Sequence, residues 1–296
     1  MSNFSHPSGF LDLSQTHKQP QIALFGLPFD CTSSVRCGSR EAPAHVRILS
    51  NALEDYSPYQ KRDLHEFAII DIGDLELPFG NPTPMIEIVL DNTRALLQHI
   101  PHLAMIGGEH LCAYPVFKAM LEHYPDLHIL QLDAHTDLRT HYMGEPWSHA
   151  SVMYHIAKLF DQPYQRIIHY GLRSGLQQEF DFAEQCRSCG APLSTPEQRL
   201  HDLQQHLAQI NAPLYLTLDL DVFDPSIMPG TGTPEAGGIL FQEFCAVLEL
   251  LQHTDLVGFD MVEYAPPYDP SGISGMLAAK VLRETLIVLG QTTSKA

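Results

Sequence analysis

Short runs of Ile, Leu and Val recur along the whole chain, and each has the length of a buried β-strand. They occupy residues 22–25, 67–72, 103–106, 127–132, 166–170, 214–218 and 256–261. Helix signals separate most of them; Thr195 followed by Pro196, for example, marks the start of a helix that runs towards Gln209. Hydrophobicity within the runs is continuous, as in strands covered on both faces. The pattern predicts an α/β fold, a three-layer α/β/α sandwich with a mostly parallel central sheet.

The chain shows no boundary between two large domains. No repeat or Gly/Ser-rich linker interrupts the alternation, and the 22 prolines are scattered. We expect an N-terminal extension over residues 1–20 and a single domain over residues 21–296. The longest irregular stretches, residues 138–147 and 221–238, directly follow predicted strands. Since ligands bind at the carboxyl ends of strands in open α/β sheets, these loops are where a site is expected.

Composition narrows the class of partner. The chain has 296 residues, of which 44% are hydrophobic and 18% charged, enough to bury a large core. A formal net charge of −18 disfavours binding to nucleic acid and to anionic membranes. We see no signal sequence and no apolar stretch long enough to cross a membrane, so the expected location is the cytoplasm. The six cysteines are too few for a disulfide scaffold, and Cys186-x-x-Cys189 lacks the second pair that a zinc knuckle needs.

Potential metal ligands follow three of the predicted strands. They are His110, just after Gly107-Gly108; Asp133, His135 and Asp137; and Asp219 and Asp221. In an extended chain, side chains two residues apart point to the same side, so the side chains of each group can point towards a common centre. Any one group is also compatible with ordinary polar residues in a turn. The three strand ends, however, can converge on a single crevice.

Such a crevice requires cations. Two carboxylates about 4 Å apart repel by roughly 4 kcal/mol at an effective dielectric constant near 20, and several such pairs would rival the stability of a domain. Six ligands suit two divalent ions, and carboxylate and imidazole without thiolate favour Mn(II), with Ni(II) as another possibility. A water held between two such ions has a pKa lowered to about 7 and is a nucleophile at neutral pH.

The motifs as an ordered set resemble the ureohydrolase family of arginases and agmatinases, across residues 22–289. They are Gly107-Gly108-Glu109-His110, Asp133-Ala-His-Thr-Asp137, Ser148-His149-Ala-Ser151, Asp219-Leu-Asp-Val-Phe-Asp-Pro225, Gly230-Thr-Gly-Thr-Pro234 and Glu263 in Asp260-Met-Val-Glu-Tyr264. The resemblance implies an arginase-like fold and a binuclear manganese centre that hydrolyses a guanidino group to urea and an amine. It implies that His110 and Asp137 bind one ion, that His135 and Asp221 bind the other, and that Asp133 and Asp219 bridge them.

The same resemblance implies roles for residues outside the metal set. Glu263 would pair with the substrate guanidinium. His149, with Asp137 as the alternative, would carry a proton to the departing amine, and His149 would also contact the substrate. Thr233 would offer a hydroxyl or backbone contact to the substrate. Glu263 is also compatible with a surface carboxylate at a strand end, and the Thr233 segment with a loop shaped by its glycines and Pro234.

Departures from arginases point to the agmatinase-like branch. Arg139 stands where arginases have an asparagine, and Ser174 where they have an aspartate after Gly-Leu-Arg. Residues 26–30, 34–40 and 71–74 look like agmatinases. The expected reaction is agmatine to putrescine and urea, a step of polyamine metabolism. Guanidinobutyrate, guanidinopropionate, guanidine and arginine remain alternative substrates, because the motifs touch only the guanidinium end. Arg139 or Arg173 near the entrance could favour an anionic tail.

Two other classes remain open: a two-metal phosphoesterase and a non-catalytic metal-binding protein. Neither class has a use for a carboxylate that pairs with a guanidinium, and the motifs contain no cationic clamp for phosphate. The resemblance also implies a homo-oligomer, a trimer or hexamer.

Overall fold

The computed structural model describes residues 4–5, 9–13, 19–190 and 192–293. Its nine-stranded sheet has the order β1-β5-β2-β6-β11-β10-β7-β8-β9. The sheet strands are β1 (Phe4–Ser5), β2 (Ile22–Leu27), β5 (Ile69–Leu75), β6 (His102–Gly107), β7 (His128–Leu132), β8 (Ile167–Tyr170), β9 (Arg187–Cys189), β10 (Pro213–Asp219) and β11 (Asp255–Val262), while β3 (Tyr56–Ser57) and β4 (Arg62–Asp63) form a small hairpin. β1 pairs antiparallel with β5, and every other neighbouring pair in the sheet is parallel.

Helices cover both faces of this sheet. They are α1 (Ala42–Ser50), α2 (Pro82–Leu97), α3 (Ala113–His123), α4 (Val152–Ala157), α5 (Pro163–Arg166), α6 (Gln177–Gln185), α7 (Pro196–Leu207), α8 (Phe241–Leu251) and α9 (Ile273–Thr293). Apolar residues of α1, α7, α8 and α9 form a core on one face, and those of α2, α3, α4 and α6 form a second core on the other. The predicted three-layer α/β/α fold with a mostly parallel sheet is confirmed.

All seven predicted strands are present, with ends that differ from the prediction by at most three residues. Their continuous hydrophobicity has the expected cause, since the central strand β10 is buried along almost its whole length. Helix α7 begins where the capping signal predicts, and the Thr195 hydroxyl accepts a hydrogen bond from the Gln198 amide. Strands β1 and β9 were not predicted, because two or three residues at a sheet edge carry almost no hydrophobic pattern.

The described part of residues 1–20 packs on the domain. β1 extends the sheet beside β5, and Phe10 is fully buried, with its amide donating to Asp71 at 2.8 Å. The rest of the segment that we treat as an N-terminal extension, residues 1–3, 6–8 and 14–18, lies outside the described residues. No helix in the described part of the chain is both long and apolar enough to cross a membrane.

Candidate metal centre

Four neighbouring strands in the middle of the sheet, in the order β6-β11-β10-β7, end at the same edge. The segments that leave them carry the predicted residues: His110 after β6, Asp133, His135 and Asp137 after β7, Asp219 and Asp221 at the end of β10, and Glu263 after β11. Parallel pairing places these strand ends side by side, so residues distant in sequence come within contact distance.

One group of potential ligands surrounds His110, which is fully buried. Its Nδ1 atom lies 3.2 Å from Asp133 Oδ2, 3.0 Å from Asp137 Oδ2 and 3.3 Å from Asp219 Oδ2. A second group surrounds His135, whose Nδ1 atom is 2.8 Å from Asp221 Oδ2 and 3.8 Å from Asp133 Oδ1. The groups His110–Asp133–Asp219 and Asp133–His135–Asp221 each bring ligand atoms within 4.8 Å of one another. Asp133 belongs to both groups, so its carboxylate lies between them.

Local backbone geometry explains why the candidate ligands occur two residues apart. The His135 amide donates to Asp133 Oδ1 at 2.6 Å, and the Asp221 amide donates to Asp219 Oδ1 at 2.9 Å. Each aspartate thereby closes a tight turn onto the residue two positions later, which is a preferred conformation for this side chain. Asp137 has a left-handed backbone with φ of 51°, which turns the chain off the sheet edge.

Polar residues beneath the ligands hold their orientation, and sequence reasoning missed them. Gln131 Nε2 donates to Asp133 Oδ2 at 2.8 Å, and its Oε1 lies 2.6 Å from His169 Nδ1. His110 Nε2 lies 2.9 Å from the Thr217 hydroxyl. A signal was present: Gln131 and Thr217 each stand two positions before a predicted ligand on a buried strand, so they share its face.

The chemistry of the donor set fits a cation. Burial lowers the pKa of His110, but three carboxylates outweigh this and raise the pKa well above its usual value. Burial together with the Asp137 charge raises the pKa of Asp133 to about 7, and burial raises the pKa of Asp219 as well. The carboxylates therefore cannot all be ionised without a counter-charge.

The described lysine and arginine side chains do not supply this counter-charge. Among the described residues, no lysine or arginine forms an ion pair with the four aspartates Asp133, Asp137, Asp219 and Asp221. His110 Nδ1 is buried and makes no well-formed hydrogen bond within the described structure, although it faces three carboxylate oxygens. An imidazole nitrogen and carboxylate oxygens that point at a common centre without bonding each other are the arrangement that a metal ion requires.

A cavity of about 240 Å³ opens above both groups. Residues of the metal groups and the predicted substrate residues line it together: His135, Asp137, Asp219, His149, Thr233 and Glu263. Glu263 has a left-handed φ of 68° and accepts a hydrogen bond from the His110 amide at 2.8 Å. Burial, assisted by the nearby Glu109, raises the pKa of Glu263 to about 8. A guanidinium cation beside Glu263 would reverse this shift.

His149 and Thr233 both line the cavity. His149 Nε2 is 3.4 Å from the Ser34 hydroxyl, and burial lowers its pKa. The Thr233 hydroxyl donates to Asp221 Oδ2 at 3.3 Å, so this threonine touches a candidate ligand as well as the cavity. All nine candidate residues are therefore within one site.

Three further cavity residues were missed: Ser34, Tyr142 and Glu179. Glu179 lies on α6 and accepts from the Thr136 hydroxyl at 2.8 Å, and it forms an ion pair with Arg139 at 3.0 Å. Nothing in the sequence near Glu179 indicates a site, because it reaches the cavity only through the packing of α6. Arg173 does not line the cavity; its guanidinium donates to backbone carbonyls, including that of Asp221 at 2.7 Å, and braces the loop after β10.

Comparison with known proteins places this fold and site in a single family. The model of the arginase family matches residues 20–288, so the chain belongs to the arginase family, and the resemblance to ureohydrolases is confirmed. The family implies a binuclear site for divalent metal ions.

Individual relatives agree along nearly the whole chain. It is 40% identical to the agmatinase of Bacillus subtilis over 273 residues, 91% of this chain and 92% of that one. It is 39% identical to the agmatinase of Halalkalibacterium halodurans over 282 residues, 94% of this chain and 95% of that one. The crystal structure of the agmatine ureohydrolase of Thermoplasma volcanium matches with a TM-score of 0.86 and 28% identity, covering 99% of this chain and 98% of that one.

Proposed function

We propose that this protein is a binuclear manganese ureohydrolase that cleaves agmatine to putrescine and urea. The observation that carries the proposal is the position of Glu263, which shares one cavity with residues of both metal groups. Within the described structure, no lysine or arginine forms an ion pair with this buried carboxylate, so it is available to a guanidinium cation. The relatives named agmatinases support agmatine as the substrate.

Six residues would hold the ions: His110 and Asp137 on one, His135 and Asp221 on the other, with Asp133 and Asp219 between them. Oxygen and imidazole ligands without thiolate favour Mn(II), with Ni(II) as the alternative. When bound, the two ions would supply Lewis acidity and lower the pKa of water to about 7.

The other cavity residues bind the substrate and move a proton. Glu263 orients the planar guanidinium by a charge-assisted, bidentate contact, and Thr233 contacts the same end of the substrate. His149, with Asp137 as the alternative, delivers a proton to the departing amine nitrogen. Desolvation makes each of these contacts stronger than it would be in water.

The candidate substrates differ in their tails, the part of each molecule away from the guanidinium group. Agmatine, a dication with a cationic tail, suits the net charge of −18. One observation favours a second candidate, guanidinobutyrate: Arg139 lines the cavity and would attract a carboxylate tail. Urea release from agmatine, guanidinobutyrate, guanidinopropionate, guanidine and arginine by the Mn(II)-loaded protein decides between them. Highest kcat/KM on agmatine supports the proposal, and highest kcat/KM on guanidinobutyrate supports the second candidate.

Glu263→Gln tests the guanidinium contact. We expect the variant to retain its metal and to lose at least about 100-fold in kcat/KM, because a charge-assisted contact becomes a neutral one. Urea release and elemental analysis measure the two effects. Glu87→Gln, at an exposed position on α2, is the matched control and should behave as the unmodified protein. Full activity of Glu263→Gln would contradict the proposal that Glu263 pairs with the substrate guanidinium.

Three broader features belong to the same proposal. The chain acts in the cytoplasm on a small-molecule substrate and has no nucleic-acid or membrane partner. It forms a homo-oligomer, a trimer or hexamer. Residues 21–296 form the single catalytic domain, preceded by the N-terminal extension of residues 1–20. A two-metal phosphoesterase is less well supported, because a single arginine and no lysine of the described residues lines the cavity, so no clamp of several cations is available for a phosphate.

A further inference from the structure

The loop that follows β2 contacts His149 at two points. The Thr32 hydroxyl oxygen accepts a hydrogen bond from the His149 amide at 3.0 Å. Two residues later, the Ser34 hydroxyl lies 3.4 Å from His149 Nε2. His149 and Ser34 both line the cavity. One short segment therefore contacts both the backbone and the ring of the residue that faces the substrate.

The side chain of Glu109 holds this segment in place. Its buried carboxylate accepts the Thr32 amide and the Thr32 hydroxyl proton, each at 2.7 Å, and the Ser33 hydroxyl lies 3.4 Å from it. The Glu109 amide donates to the Phe29 carbonyl at 2.9 Å. Both carboxylate oxygens thus accept hydrogen bonds from the loop, and none of these bonds goes to the candidate metal ligands.

Close backbone approach makes the anchor possible. A Cβ atom at Gly108 would lie 2.1 Å from the Phe29 carbonyl oxygen, so only glycine allows the two chains to come this near. Asp30 fixes the other end of the loop, because its Oδ2 accepts the Gly38 amide at 2.6 Å. The loop is held on both sides of Thr32, and the position of its hydroxyl is defined.

We infer that Thr32 is a positioning residue: held by Glu109, its hydroxyl fixes His149 where the imidazole can reach the departing amine. The hydroxyl acts in both directions, donating to Glu109 and accepting from His149. Valine has the same shape and can do neither, whereas serine can do both. The inference rests on the proposed proton-transfer role of His149.

Thr32→Val is the principal test. We expect kcat on agmatine to fall at least about tenfold, KM to change less than about threefold, and the metal content to remain the same, because a partly buried hydrogen bond to His149 is lost without loss of a substrate contact. Thr32→Ser should stay within about threefold of the unmodified protein. Steady-state kinetics and elemental analysis provide these values.

A double-mutant cycle separates positioning from general damage to the loop. In a His149→Asn background, Thr32→Val should reduce kcat by less than about twofold, because the residue through which it acts is already gone. An equal loss in both backgrounds, or no loss in either, overturns the inference. If Thr32→Val does not fold, Glu109→Gln enters the same cycle, since an NH2 group replaces one of the two acceptor oxygens and the Thr32 donor bound to that oxygen loses its acceptor.

The same measurements distinguish this inference from the proposed function. An unmodified, Mn(II)-loaded protein that releases no urea from any of the five guanidino compounds contradicts the proposed function. An active unmodified protein in which Thr32→Val costs the same factor with and without His149 contradicts the inference alone.

Discussion

Two groups of buried carboxylates lie in or directly after strands of the same sheet, and they obtain their counter-charge in different ways. In the arginine cluster, Arg47, Asp71 and Asp74, the fully buried guanidinium donates to Asp71 through Nε at 2.7 Å and Nη2 at 2.9 Å. Its Nη1 pairs with Asp74. The Asp71 carboxylate also accepts the Phe10 amide. This cluster is complete without any ligand.

The metal cluster, which comprises His110, Asp133, His135, Asp137, Asp219 and Asp221, has no such internal cation. Its only potential positive charges are two imidazoles, and one buried imidazole nitrogen makes no well-formed hydrogen bond with the described residues. Burying several carboxylates without a fixed cation costs several kcal/mol per charge. The difference shows that the arginine cluster serves folding, whereas the metal cluster is built to receive ions from outside.

His135→Ala should have the largest effect on activity. We expect loss of at least one ion per chain and a fall in kcat/KM of at least about 10⁴-fold, equivalent to ~5.5 kcal/mol, because half of the proposed metal centre loses a ligand. Elemental analysis and urea release measure both. His253→Ala, at an exposed position, is the control. Retention of both ions and of activity would contradict the assignment of His135 to the metal cluster.

Arg47→Met should affect stability instead. Removing one partner of a buried ion pair leaves its carboxylates unpaired, so we expect the free energy of unfolding to fall by about 3 to 5 kcal/mol. The metal content of the folded fraction should not change. Thermal unfolding compares the stability of Arg47→Met with that of Arg94→Met. The exposed ion pair of Arg94 with Glu122 should contribute much less to the free energy of unfolding. If both variants are equally stable, the contrast between the two clusters is wrong.

His169 provides a further test of the comparison, with a smaller expected effect on stability. This imidazole is fully buried and, unlike His110, forms no ion pair with a carboxylate in the described structure; burial lowers its pKa to about 4. The unfolded chain, with a histidine pKa near 6.5, therefore binds more protons between pH 6.5 and 4. The stabilisation that results is complete above pH 6.5 and is lost as the pH falls towards 4.

His169→Asn, which keeps a donor for Gln131 and removes the titration, measures this contribution. We expect the free energy of unfolding of the variant to depend less on pH between 6.5 and 4.5, by about 1 kcal/mol per pH unit. Chemical denaturation at several pH values in that range provides the comparison. Identical slopes for the two proteins would show that His169 protonates equally in both states.

Much of the candidate site was predictable because its residues follow strands that the hydrophobic pattern reveals. Asp133, His135 and Asp137 follow one such strand, and Asp219 and Asp221 end another. Glu179, in contrast, comes from a helix whose position depends on long-range packing, so no local pattern indicates it. The buried packing of Phe10 was also missed, since the segment around it lacks a recognisable period.

The sequence by itself determined the strands, the family and the residues capable of binding ions, because these depend on neighbouring positions along the chain. The apolar runs alone did not distinguish Asp71 and Asp74 from Asp219 and Asp221, since each pair lies at the end of such a run, although the motifs selected the second pair as candidate ligands. Only the tertiary structure decided where each pair obtains its counter-charge. Helix α1 carries Arg47 to the first pair, and no arginine or lysine forms an ion pair with the second among the described residues. The energy of a buried charge depends on its partners in space, and those partners are distant in sequence.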